Sequence, residues 1–224
     1  MSSPSMHPRW VLWLRWVVAC ALGASVGALA VVGGLDLWMH AFMYALVVVG
    51  MVFAVVLAAL QWLVIRGRLR RPERWWAWLL ATVVGWGAGL GGGMLAGADW
   101  ARTLGPLLGE VWADRAGSLA FVLTPGALVG TLQWIVLTGR TGAMARVPRA
   151  AVWVLANAMA WPLAFVWLVT QSWFEAGPWV WLASGAASGA LAGGITGLAL
   201  VWMLPALVPE ASLETNWEER STHR

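Results

Sequence analysis

Six uncharged polar side chains stand isolated in long apolar stretches of this 224-residue chain: Cys20, Thr82 and Asn157, and Gln61, Gln133 and Thr196. The first three each follow an alanine of a recurring motif. That motif reads Trp16-x-x-Ala19-x-x-x-Gly23-x-x-x-Gly27, then Trp78-x-x-Ala81-x-x-x-Gly85-x-x-x-Gly89, then Trp153-x-x-Ala156-x-x-x-Ala160-x-x-x-Ala164. The second three occupy matching places in the apolar stretches that follow, two of them inside Leu60-Gln61-Trp62 and Leu132-Gln133-Trp134. An uncharged polar group in hydrocarbon usually bonds to a neighbouring helix, contributing about 0.6 kcal/mol. Placed at one depth around a common axis, the same groups form a polar constriction on a solute path. Both roles are open for these two layers.

Other chemistry finds fewer residues. The histidines are His7, His40 and His223, none deep in a span, so a serine nucleophile has no intramembrane base. Zinc lacks clustered His, Glu or Cys, and Glu218-Glu219 has no second motif to complete a metal centre. Haem finds only Met39-His40-x-x-Met43, which reads as interfacial. All 14 basic residues are arginine, which excludes a retinal Schiff base and lysine-based covalent catalysis. The single cysteine, Cys20, excludes an internal disulfide. The expectation is a non-enzymatic protein with no evident cofactor.

The elements that position the polar layers follow from composition. Hydrophobic residues make up 61% of the chain and charged residues 11%, too apolar for a hydrated globular surface. Intervals 16–35, 37–65, 75–98, 116–139, 150–174 and 176–209 contain no Asp, Glu, Lys or Arg. Each reaches the roughly 20 residues that cross about 30 Å of hydrocarbon. The fold class is therefore all-α integral membrane: six transmembrane helices as three tandem helical hairpins, with approximate threefold pseudo-symmetry about the membrane normal. With both termini cytoplasmic, twelve of the fourteen arginines lie inside, and only Arg102 and Arg115 outside. Arg9 and Arg15 precede an apolar run ending in Ala28-Leu29-Ala30, which resembles a signal peptide. Because that run aligns with the third and fifth helices, it reads as a retained span.

The predicted organisation is a lead over 1–9, hairpin one over 10–66 and an arginine-rich loop over 67–74. Hairpin two covers 75–140, with a short interfacial helix near 106–115 starting at Pro106. A loop over 141–148, hairpin three over 149–204 and a polar tail over 205–224 complete the chain. Arg66 to Arg74 are expected to attract anionic lipid headgroups rather than nucleic acid.

Lipid is as apolar as leucine, so helices associate through small residues that let backbones approach. Gly85, Gly89, Gly93 and Gly97 form one such row, and Gly185, Gly189, Gly193 and Gly197 another. Shorter rows are Ala19, Gly23 and Gly27, and Gly126 and Gly130. Most of the 20 tryptophans, including Trp16, Trp62, Trp78, Trp134 and Trp153, fall near predicted interfaces and read as belts. Trp86, Trp161 and Trp167 lie deeper and are candidates for ligand contact, with Pro125 and Pro162 freeing carbonyls that can accept their indole N–H groups.

Leu60-Gln61-Trp62-Leu63-Val64-Ile65-Arg66, followed by Arg74-Trp75-Trp76-Ala77-Trp78, resembles a group of uncharacterised bacterial multi-pass proteins built from tandem hairpins. Leu132-Gln133-Trp134-Ile135-Val136-Leu137 is a second instance, departing from the pattern where Thr138 replaces arginine. The resemblance implies the fold alone and no activity; the expected location is a bacterial inner membrane. The Pro-x-Asp/Glu-x-x-Lys/Arg signature of mitochondrial carriers, another three-hairpin family, is absent. Three functions are consistent with the residues. The first is an accessory, scaffold or assembly subunit associated with other membrane proteins. The second is a channel or transporter for a small neutral solute or ion. The third is a pigment- or lipid-binding subunit.

Overall fold

A computed structural model describes residues 7–33, 35–68, 74–138, 147–170 and 177–203, with side chains except at 7–8, 31–33, 35–47, 68, 147 and 165–170. These residues form helices α1 (His7–Gly33), α2 (Leu35–Ile65), α3 (Trp75–Leu108), α4 (Glu110–Thr138), α5 (Val147–Thr170) and α6 (Pro178–Met203), with no strand among them. A 3-10 turn, Arg66–Arg68, follows α2. Runs of Ala, Leu, Val and Trp supply helix formers. Pro178 opens α6 at a position whose N–H has no helical partner in any case.

Five of the helices, all but α5, are long and apolar enough to cross a membrane. In α5 the last six residues lie outside the described side chains. The chain is thus a multi-pass membrane protein by length and composition. The remaining loop segments and the tail over 205–224 fall outside the described residues.

Each helix packs on its sequence neighbours, and α1 also packs extensively on α6, which closes the six into a ring. The closest interface joins α3 and α4. There a Cβ on Gly85 would lie 2.7 Å from Val129 Cα, and one on Gly93 2.6 Å from Phe121 O. Gly89 lies against Pro125, and Gly97 and Gly117 face each other. The contacts step four residues down α3 as they step four up α4, so the pair is antiparallel with a glycine at each closest approach. Likewise Gly185, Gly189, Gly193 and Gly197 run along α1 from Ala28 to Trp13. Gly126 and Gly130 lie against α5 at Asn157 and Val154, while Gly23 and Gly27 lie against Leu57 and Phe53 of α2. The small-residue rows are therefore covered by neighbouring helices.

One expected element differs. No separate helix begins at Pro106. α3 runs through it to Leu108, and α4 starts at Glu110. Pro106 is tolerated near the helix end, and the break falls at Gly109, whose φ of 80° suits a residue without Cβ. Its N–H still bonds Gly105 O at 2.9 Å. At 34 residues α3 is about 51 Å long at 1.5 Å per residue. That exceeds the roughly 30 Å of hydrocarbon, so the α3–α4 hairpin, with its tip at Gly109, is longer than one crossing requires.

Candidate functional site

The polar residues come together. Cys20, Gln61, Thr82, Gln133, Asn157 and Thr196 are all buried, and each comes from a different one of the six helices. Thr82 Oγ1 donates to Trp78 O at 3.0 Å, so its oxygen faces the interior as an acceptor. Gln133 Nε2 donates to that oxygen at 3.0 Å and to Gln61 Oε1 at 3.3 Å. Gln61 Nε2 in turn reaches Cys20 Sγ at 3.6 Å. On the other side, Thr196 Oγ1 donates to Ala192 O at 2.8 Å and accepts Trp16 Nε1 at 2.9 Å. Asn157 Nδ2 stays with its own helix, donating to Trp153 O at 3.0 Å. A network with consistent donors and acceptors therefore links α1, α2, α3 and α4, and a separate bond joins α1 to α6.

Aromatic layers flank this network. Trp16, Trp78 and Trp153, assigned by sequence to the interfacial belt, are instead 0% exposed. Trp16 meets Trp78 edge to face at 6.4 Å and Trp153 at 6.1 Å between ring centroids. Their proximity to Arg15, Arg74 and Arg149 in sequence suggested an interface position. Helix orientation turns the rings inward instead. Trp62 and Trp134 are likewise buried, whereas Trp10, Trp75, Trp76 and Trp202 are exposed as belts require.

Two helical turns along α3 and α5, Trp86 and Trp161 pack edge to face with centroids 5.7 Å apart. Phe53 of α2 completes the triangle at 5.0 Å from Trp86 and 5.4 Å from Trp161. Phe53 carried no signal in the sequence, since a lone phenylalanine in an apolar run resembles any lipid-facing residue. The side chain of Trp167 lies outside the described residues. The carbonyls freed by Pro125 and Pro162 do not serve Trp86, whose Nε1 is buried with no partner. Phe121 O, the carbonyl that Pro125 leaves without its helical donor, instead faces Gly93.

The polar side chains thus occupy a layer between two aromatic layers, one helical turn from each along α3 and α5. No family model, curated protein or solved structure matches the chain. The geometry has to carry the functional reading.

Among the described residues five buried polar side-chain atoms have no hydrogen-bond partner: Trp78 Nε1, Trp86 Nε1, Trp153 Nε1, Gln133 Oε1 and Ser188 Oγ. Ser188 immediately precedes Gly189 of the α6 small-residue row, and its hydroxyl is not needed for that close packing. Buried polar groups are nearly always paired, so each unpaired one calls for a partner that the described residues do not supply.

Proposed function

We propose that the chain is a conduit for a small solute, a six-helix membrane bundle whose axial polar layer forms an occluded site between two aromatic layers. The single observation that carries this reading is that one uncharged polar side chain from each of the six helices is buried, four of them joined in one hydrogen-bonded network. Packing alone would be served by alanine or leucine at these positions. Chance placement would leave some of the six facing lipid. The recurrence of the Trp and Gln positions through the sequence supports three tandem hairpins related by an approximate threefold axis through this layer. The arginine distribution supports cytoplasmic termini and an inner-membrane location. Passage would require Trp16, Trp78 and Trp153 to part, and their edge-to-face contacts are each worth only about 0.5–1.5 kcal/mol beyond burial.

The test is flux into proteoliposomes. Gln61→Leu with Gln133→Leu removes the amides while keeping bulk, and should abolish solute passage. Unaltered flux in that variant sinks the reading.

A second reading, an accessory or assembly subunit, is favoured by the α3–α4 tip. Trp100, Leu107, Leu108, Val111 and Trp112 are exposed there, with the Arg115 guanidinium 4.8 Å from the Trp112 ring centroid. Exposed apolar patches of this kind mark interaction surfaces. Gentle-detergent purification would recover stoichiometric partners, and their loss on Leu107→Ser with Val111→Ser would assign the tip.

A further inference from the structure

We infer that the axial site takes a neutral hydroxyl-bearing solute, water or a short polyol, and rejects ions. This deepens the conduit reading and rests on it. Three of the unpaired atoms belong to the polar layer or to the tryptophans one helical turn from it: Gln133 Oε1, Trp78 Nε1 and Trp153 Nε1. Their nature follows from bonds already made. Thr82 gives its hydrogen to Trp78 O, so only the Nε2 side of the Gln133 amide can face it. The second Nε2 hydrogen goes to Gln61 Oε1. Gln133 Oε1 is consequently left as an acceptor, and flipping the amide would break the bond to Thr82.

The two indoles are donors only. Both belong to rings packed on Trp16, whose own N–H is satisfied by Thr196. Gly130, one turn before Gln133 on α4, lies against Trp153 O, Val154 and Asn157. Trp153 therefore stands beside the α4 turn that leads to Gln133.

A partner for this set needs lone pairs for two indole donors and a hydrogen for one carbonyl oxygen. A hydroxyl has both. A monovalent anion meets the indoles but presents no hydrogen to Gln133 Oε1. A cation meets that oxygen but faces the indole N–H dipoles. The six side chains of the layer are all uncharged, so neither ion finds a counter-charge among them to offset its desolvation. Leaving two indole donors unmet lowers stability, a penalty that phenylalanine would not carry, at the cost of some ring volume. Their presence is explained if a passing solute uses them.

The experiment measures water, glycerol, K+ and Cl− flux in proteoliposomes for the wild-type chain, Trp78→Phe, Trp153→Phe and the Gln61→Leu/Gln133→Leu pair. Unfolding midpoints in detergent are recorded for each and for Trp16→Phe. Water or glycerol should pass and the ions should not, with the two arms separating water from polyol as the solute. Each phenylalanine variant should lower that flux about threefold to tenfold, the equivalent of one hydrogen bond, with an unfolding midpoint no lower than that of Trp16→Phe, which loses the same ring volume and a bond besides. Ion flux exceeding hydroxyl flux overturns the inference and leaves the conduit standing. So does unchanged flux in both phenylalanine variants, or a fall in midpoint that accounts for the lost flux. Absence of flux for every probe, or indifference to the paired leucine substitutions, overturns the conduit itself.

Discussion

Gly85 and Gly87 are two residues apart on α3 and differ completely in surroundings, which makes them a sharp test of the packing. A Cβ at Gly85 would sit 2.7 Å from Val129 Cα, 2.8 Å from its Cγ2 and 2.9 Å from its backbone N. A Cβ at Gly87 would meet nothing within 4 Å. Carbon atoms pack best at about 3.5–4.0 Å, so Gly85→Ala must push α3 and α4 apart by about 1 Å, a gap that forfeits about a quarter to a half of each contact well. Overpacking of this kind costs about 1–3 kcal/mol. The gain in helix propensity, up to about 1 kcal/mol in water, is small here because membrane helices persist in the detergent-unfolded state. Gly85→Ala should therefore destabilise by about 1–3 kcal/mol, and Gly87→Ala should change stability by less than about 0.5 kcal/mol. The assay is unfolding by SDS from dodecylmaltoside micelles, followed by tryptophan fluorescence. Val129→Ala should not rescue Gly85→Ala, because two of the three close atoms belong to the backbone. Equal midpoints for the two alanine variants, or rescue by Val129→Ala, would refute the interface described.

Trp16→Ala removes a ring that is 0% exposed and should cost about 3–5 kcal/mol, whereas Trp179→Ala, at a position 79% exposed, should be close to neutral in the same titration. Trp16→Phe and Trp78→Phe both shrink a fully buried ring, and Trp16→Phe should cost about 0.5–1.5 kcal/mol more, since only the Trp16 N–H is bonded, to Thr196. Cys20 is buried and is the chain's only cysteine, so a membrane-permeant maleimide should label the folded protein far more slowly than the SDS-unfolded one. Comparable rates would contradict its place in the layer. Gly27→Ala should be relieved by Phe53→Ala, unlike Gly85→Ala, because the atoms it would strike are those of the Phe53 side chain, the closest at 2.8 Å.

The amino-acid sequence by itself determined that the chain is helical and built to cross a membrane, because charge-free length and hydrocarbon thickness leave few other outcomes. It also singled out the small-residue rows and the six polar positions, since each interrupts an apolar run with a residue that lipid does not favour. It could not choose partners. A leucine facing lipid and a leucine facing another helix are equivalent by composition, so nothing local told the α6 glycine row that it seats on α1, some 180 residues earlier, as the Trp16–Thr196 bond records. The same ambiguity hid Phe53. It also placed Trp16, Trp78 and Trp153 in the interfacial belt, where depth along the helix pointed, when their rotation about the helix axis buries them. Only closure of the ring decided which way each face turned, and with it that the polar side chains of six separate helices share one buried layer.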